Sequence, residues 1–175
     1  DTTDGPIQAR TVIWGAGNEA SPLAALVGAD TDQAGRAMVG PDLSVPTHPH
    51  IFVVGDTAHA RSGGEQVPGV AQGAIQGGRH VAEAIRADLD GRPRPRFQYR
   101  DKGELATIGR SSAVGQIGRV ELWGWLAWVM WWAVHIFFLI DFRKRFAVFF
   151  SWGWSYLTFQ RGSRLITGPW SPRTD

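Results

Sequence analysis

Short apolar runs separated by Gly-rich turns fill the first half of the chain, and two longer apolar stretches, 122–140 and 146–159, lie in the second half. Arg10–Trp14 (RTVIW) is rich in β-branched residues and closed by Gly15 and Gly17, which predicts a short strand. Ile51–Val54 (IFVV) is an unbroken apolar run that ends at Gly55-Asp56, the pattern of a parallel strand covered on both faces. From Gly69 to Leu89, Val70, Ala74, Val81 and Ile85 recur at roughly helical spacing, and Gly91 and Pro93 stop the helix. Arg92, Pro93, Arg94, Pro95 and Arg96 favour an extended connector. Asp101-Lys102-Gly103 then reads as a turn, and Leu105–Ile108 as a strand.

The pattern changes after residue 120. Leu122–Ile140 is apolar except for Gly124 and His135, and seven of the nine tryptophans lie between Trp123 and Trp154. A membrane-spanning helix needs about 20 such residues, so this run is only just long enough. Its tryptophans are spread along it, whereas a spanning helix gathers them at its ends. Arg143-Lys144-Arg145 follows, then a second apolar stretch from Phe146 to Phe159. In that stretch Lys144, Ser151, Ser155 and Thr158 form one polar stripe on a helix, among Phe and Trp residues. Such a helix, with basic flanks, suits the interface of a bilayer. The basic cluster would attract anionic lipid, and His135 reads as a structural histidine at that interface.

Composition narrows the chemistry. Eighteen basic and 16 acidic residues leave a net charge of +2, which gives no reason to expect a nucleic-acid partner. No cysteine is present, which excludes disulfides, thiolate metal sites, CxxC redox chemistry and cysteine nucleophiles within this chain. The five histidines show neither HxxxH nor HExxH spacing, so no metal site is expected. Redox chemistry here would run on a bound cofactor. Residues 1–8 are mostly polar and do not read as a signal peptide, and the first expected feature is already a strand. The sequence is therefore expected to be part of a longer protein.

Two motifs carry chemistry. In IFVVGDTA, a buried strand delivers Asp56 to the carboxyl end of a sheet, where α/β folds bind ligands. Gly55 lets a ligand approach the backbone, and the carboxylate can accept hydrogen bonds from sugar or ribitol hydroxyls. About a dozen residues later Val67-Pro68-Gly69-Val70-Ala71-Gln72 opens a helix. Its free N–H groups and positive dipole end would stabilise the anionic density of a reduced flavin. Each motif also has an ordinary reading, as a turn aspartate and a surface helix.

Together the stretches TVIWGAG (11–17), IFVVGDTA (51–58), VPGVAQGAIQGG (67–78), DKGELATIG (101–109) and SYLTFQRGSRLI (155–166) resemble the C-terminal part of the type II NADH:quinone oxidoreductases. These are single-subunit, non-proton-pumping members of the two-dinucleotide-binding flavoproteins. The resemblance covers most of the chain. It implies an FAD-dependent enzyme that takes electrons from NADH and passes them to a membrane quinone. It further implies peripheral attachment to the cytoplasmic side of a bacterial cell membrane and lipid contact, and it allows a homodimer. The cofactor-binding residues so implied are Gly55, Asp56, Val70, Ala71, Gln72 and Gly17, the last near the nicotinamide. Gln72, Gln76 and Lys102 would be catalytic residues facing quinone, with Leu105 and Ala106 lining its pocket. Lys102 would stabilise developing negative charge on a quinone oxygen or relay a proton.

The expected fold class is α/β, with a partial Rossmann-like FAD-binding domain followed by an α-helical membrane-anchoring tail. Residues 1–18 would end the NADH-binding domain and 19–90 would be the C-terminal part of the FAD-binding domain. Residues 91–120 would hold the connector and short strands near the quinone site, and 121–170 the anchor. No G-x-G-x-x-G occurs, so the pyrophosphate cradles of the family are expected outside this chain, and the piece alone is expected to bind FAD poorly. Two other readings stay open: another quinone-linked flavoprotein such as a sulfide:quinone oxidoreductase, and a non-enzymatic membrane-binding module.

Overall fold

A computed structural model of the chain describes residues 5, 10, 11, 13, 15, 19–139 and 141–159. The strand expected at Arg10–Trp14 falls partly on residues outside this set, as does Gly17. The chain is mixed α/β and divides into two compact units, residues 1–101 and 102–175.

Among the described residues the first unit holds a one-turn helix, six short strands and one long helix. In chain order these are α1 (Leu23–Leu26), β1 (Ala37–Met38), β2 (Ser44–Val45), β3 (His48–Phe52), β4 (Ala58–His59), β5 (Arg61–Ser62), β6 (Glu65–Gln66) and α2 (Ala71–Leu89). A 3-10 turn, Gly55–Thr57, precedes β4. The apolar run at 51–54 enters β3, but β3 pairs antiparallel with β2 and is not the parallel strand its sequence suggests. The reason is local. Leu43 takes a left-handed φ of 67°, and its amide closes a turn onto Gly40 O at 3.0 Å. Asp42 Oδ1 accepts from the Ser44 amide at 3.2 Å and its hydroxyl at 2.8 Å, so the preceding segment folds straight back onto β3. The parallel pair in this unit is β1 with β4. Between β5 and β6 lies a Gly63-Gly64 turn with positive φ at both positions, the backbone such a tight hairpin demands.

The core of this unit is made of small residues. Ala24, Ala29, Ala37 and Val45 form one cluster, and Leu43, Ala58, Ala60 and Phe97 a second. Helix α2 packs on them through Gly73, Gly77, His80, Ala84 and Ala87, which are buried, whereas Ile85 of the expected apolar face is 45% exposed. A Cβ on Gly73 would sit 2.9 Å from Pro68 O, and one on Gly77 3.3 Å from Val54. The helical glycines thus admit the chain's own backbone and Val54, and Gly78 faces open space.

The connector is extended, as the Arg/Pro run predicts, and it is pinned. Arg94 donates to both carboxylate oxygens of Asp88, at 2.7 and 2.6 Å. It also donates to Asp42 Oδ2 at 3.0 Å and Pro49 O at 2.8 Å, and stacks over the Phe52 ring at 4.8 Å. This bidentate fork holds the Asp88 carboxyl below its ordinary range. Burial alone would raise Asp42, but its bonds from Arg94 and Ser44 bring it below the usual value.

His80 is 8% exposed, its ring lies edge-on to Phe97 at 5.3 Å, and Nε2 has no hydrogen-bond partner. Burial depresses its pKa from the ordinary 6.5, against the opposing pull of Glu83 and Asp42. A neutral buried histidine contributes stability that is full above about 6.5, the unfolded value, and is lost as pH falls through the depressed folded value. Accordingly, the melting midpoint should fall with acidification below about pH 6.5, and His80→Leu should flatten that slope. Circular dichroism melts across pH 4.5–7.5 check this, and an unchanged slope in the variant counts against it.

The second unit carries a three-stranded antiparallel sheet, β7 (Glu104–Gly109), β8 (Ser112–Ile117) and β9 (Val120–Trp123). Its first strand contains the predicted Leu105–Ile108. The two further strands follow from two-residue turns, one with Ser111 at φ 58° and one with Gly118 at φ 60°. Two helices come next, α3 (Gly124–Phe137) and α4 (Phe142–Leu157). Ala127 of α3 packs against β8, where Ala113 is likewise buried.

The apolar run at 122–140 is thus divided between β9 and a 14-residue helix. At 1.5 Å per residue α3 is about 21 Å long, short of the ~30 Å hydrocarbon core. No helix of the described residues is long and apolar enough to cross a membrane. Ring pairs join α3 to α4: Trp128 with Tyr156 at 5.1 Å, Trp131 with Trp152 at 5.5 Å, and Trp132 with Phe149 at 4.7 Å. As one index rises the other falls, so the helices run antiparallel. Asp141 caps α4 by accepting from the Arg143 amide at 3.0 Å. The expected polar stripe on α4 is split. Ser151 and Ser155 line a cleft of about 700 Å³ with Trp128 and Trp131, Thr158 bonds back to Trp154 O at 2.7 Å, and Lys144 is exposed. His135 bonds Trp131 O at 2.7 Å and stacks on the Trp131 ring at 4.1 Å.

Candidate functional site

The site begins with the bend that ends the β3 segment. Gly55 adopts φ +71°, and a Cβ there would press on Ala74 Cβ at 3.2 Å, so the 3-10 turn lies directly against the first turns of α2. Asp56 follows on that turn and is exposed. Its carboxylate has no hydrogen-bond partner among the described residues. Gly69, two residues before α2, comes close to it: a Cβ on Gly69 would lie 3.6 Å from Asp56 Oδ1. The carboxylate and the helix opening are therefore neighbours.

At the opening itself, Val70 is the N-cap and no side chain caps the helix. The Val70 carbonyl already accepts from Gly73 and Ala74, at 2.9 and 3.3 Å. The amides of Ala71 and Gln72 have no acceptor among the described residues. A 19-residue helix with uncapped N–H groups presents partial positive charge at that end.

Asp56 also lines a cavity of about 470 Å³ with Gly55, Gly69, Ser21, Glu19 and Arg36. This volume lies in the usual range for small-molecule sites. Arg36 had no sequence motif to mark it. It is fixed by Asp32, whose Oδ2 accepts from Arg36 Nε at 2.7 Å, and the same oxygen contacts His59 Nδ1 at 2.9 Å. Bonded first by the Arg36 side chain, the Asp32 carboxyl is held well below the usual carboxylate range. The Asp-x-x-Gly-Arg spacing of this turn is its one sequence trace.

The two glutamines at i and i+4 differ in their surroundings. Gln72 is half-buried and its amide has no partner among the described residues. Gln76 spends both ends of its amide on one backbone position: Nε2 donates to Arg100 O at 3.0 Å and Oε1 accepts from the Arg100 amide at 2.9 Å.

In the second unit Lys102 is exposed, with Nζ 5.9 Å from the centre of the Phe138 ring. Leu105 packs on Gly115, where any larger residue would overlap its side chain, and Ala106 is exposed beside it on β7. Among the described residues no group of histidines and carboxylates could hold a metal ion.

No protein-family model matches the chain. Curated proteins do. The type II NADH:quinone oxidoreductase Ndh of Mycobacterium tuberculosis is 44% identical over 174 residues, which cover 95% of this chain and 37% of that protein. NdhA of the same organism, also a type II NADH:quinone oxidoreductase, is 42% identical over 170 residues, 92% of this chain and 35% of its own length. The type II NADH:quinone oxidoreductase of Staphylococcus haemolyticus is 35% identical over 111 residues, 62% of this chain and 27% of that protein. Among solved structures, NDH2 of Plasmodium falciparum in complex with NADH aligns with a TM-score of 0.47 and 24% identity, over 52% of this chain and 19% of that one.

By sequence the chain is thus related to oxidoreductases that link NADH to quinone. It belongs to the type II NADH:quinone oxidoreductase family, and it spans 37% of the length of the first mycobacterial relative.

Proposed function

We propose that this chain is the C-terminal part of a flavoprotein that carries electrons from NADH through FAD to a membrane quinone, without proton pumping. The observation that carries the proposal is the juxtaposition of an unengaged Asp56 with the uncapped opening of α2, in a chain 44% identical to a type II NADH:quinone oxidoreductase over 95% of its length. That the relatives are named for NADH favours it over sulfide as the electron source.

The donor set fits FAD. Asp56 offers an exposed carboxylate for ribityl hydroxyls, and the absence of a side chain on Gly69 keeps its approach open. The amides of Ala71 and Gln72, at the positive end of α2, suit the electron-rich pyrimidine edge of a flavin. When bound, FAD supplies the two-electron relay between NADH and quinone. The chain's own residues bind and orient. Gly55 and Val70 keep the backbone close, Asp56 holds the polyol, and the free amide of Gln72 is available to a ligand carbonyl. Lys102 supplies a positive charge for a quinone oxygen, with Leu105 and Ala106 as apolar lining. Gly17, outside the described residues, is assigned to the nicotinamide side. The residues from 19 to 90 act as the closing part of a Rossmann-like FAD domain.

The tail is assigned to peripheral attachment at the cytoplasmic side of a bacterial cell membrane. Trp123, Trp125, Leu126, Phe142, Phe150 and Trp154 are exposed on an aromatic hairpin that is too short to span. Residues of this kind lie at the lipid–water boundary.

The half-reactions separate the roles. In the full-length protein, Lys102→Ala should slow re-oxidation of the NADH-reduced enzyme by quinone roughly tenfold, the loss of one charge-stabilising group, and leave reduction by NADH unchanged. Stopped-flow absorbance of the flavin measures both steps. Equal slowing of the two steps, or a wild-type protein that NADH does not bleach, would overturn the assignment.

A further inference from the structure

The cleft of about 700 Å³ between α3 and α4 is used by no step proposed above. The ring pairs that join the two helices also form its wall, through Trp128, Trp131, Trp132 and Trp152. Ser151 and Ser155 add hydroxyls that have no partner among the described residues. Arg110, in the turn between β7 and β8, lines the same cleft. Its guanidinium lies 4.3 Å from the centre of the Tyr156 ring and 3.7 Å from that of Phe159, and it donates to the Tyr156 carbonyl. The hydroxyls of Ser111 and Tyr156, 2.7 Å apart, fasten this turn to α4 a second time. No carboxylate pairs with Arg110 among the described residues, and its other N–H groups have no acceptor there. Ring contacts do not neutralise a guanidinium, so a fixed positive charge stands in the lining of an apolar cleft.

Gly153 points to an occupant. It lies inside α4, where glycine is the least favourable residue after proline, and it lines the cleft. A Cβ there would meet nothing within 4 Å, so no packing among the described residues asks for its absence. The missing side chain leaves room for a guest. We infer that the cleft binds one phospholipid, with Arg110 on its phosphate, the two serine hydroxyls on its glycerol esters and the tryptophans along an acyl chain. From Arg110 at the Tyr156 end, the α4 wall runs past Ser155 to Ser151, one turn back, and the ring pairs continue to Trp132. A charge at one end and rings along the rest is the order of a phosphate followed by its chain. This goes beyond peripheral attachment, which needs no fixed lipid position, and rests on that reading for the supply of lipid.

The test is isothermal titration of the full-length protein with dioctanoyl phosphatidylglycerol, kept below its micelle-forming concentration. Saturable binding of one lipid per chain is expected. Arg110→Gln should weaken it about tenfold, the loss of a charge-assisted contact, and Arg110→Lys should fall in between. Gly153→Leu should abolish binding by filling the cleft without lowering the melting midpoint, because leucine is the better helix former. Replacing the exposed Arg143 and Lys144 by glutamine should reduce adsorption to phosphatidylglycerol vesicles and leave the titration unchanged. Inorganic phosphate and uncharged octyl glucoside separate the two ends of the ligand, and neither alone should bind as tightly as the lipid. Equal binding of either one would overturn the inference, as would lipid binding that survives Gly153→Leu or a wild-type protein with no saturable binding. A wild-type protein that takes up the short lipid but ignores vesicles leaves the site standing and removes the peripheral-attachment reading instead.

Discussion

Replacing Asp56 by alanine in the full-length protein should weaken FAD binding roughly 10- to 100-fold, the loss of one or two hydrogen bonds to a charged acceptor. The carboxylate stands exposed beside Gly69, with no partner among the described residues. Alanine therefore removes no internal bond among the described residues, and the fold should melt as before once flavin is stripped from both proteins. Asp56→Asn keeps one acceptor oxygen and should fall between wild type and alanine. Reconstitution of the apoprotein, titrated by quenching of FAD fluorescence, gives the constants. An Asp56→Ala protein that holds FAD as tightly as wild type would remove the central support for the site.

The second large effect is on stability. Phe97 is 6% exposed and packs with Leu43, Ala58 and Ala60, and His80 meets its ring edge-on. Its amide donates to Pro41 O at 2.7 Å, so side chain and backbone both fasten the extended segment to the core. Phe97→Ala leaves a ring-sized cavity among alanines that cannot close in, and should cost about 3–5 kcal/mol. That is a large share of the ~5–15 kcal/mol by which domains are usually stable. Urea denaturation followed by circular dichroism measures it, and a loss below about 1 kcal/mol would show that the core collapses around the gap.

Much of this molecule was legible in its sequence, and the failures have physical causes. The start of α2 followed from Pro68-Gly69 and its end from Gly91, because these residues act locally. The strand read at Leu105–Ile108 is present and extends one residue further at each end. Which face of α2 is buried followed only in part. Of Val70, Ala74, Val81 and Ile85, Val81 packs against the core and Ile85 is exposed, and the buried positions are where side chains are smallest, at Gly73, Gly77, Ala84 and Ala87. The antiparallel pairing of β3 was hidden because it depends on the left-handed backbone of Leu43, a residue type that rarely adopts it. At the site, Asp56 and the helix opening were legible as a motif. The commitment of Gln76 to Arg100 was not, since nothing in AQGAIQ records a partner 24 residues away. Arg36 and its carboxylate were missed because a turn with Asp, Gly and Arg is too common to signal chemistry.

The aromatic interlock of α3 and α4 also decides what light reports on this chain. Only one of its nine tryptophans, Trp14, precedes residue 102. Intrinsic indole emission from the chain is therefore dominated by the hairpin, where stacked Trp131 and Trp152 make it sensitive to separation of the two helices. Unfolding of the first unit would pass almost unseen in that channel, so the two units carry separate optical signatures.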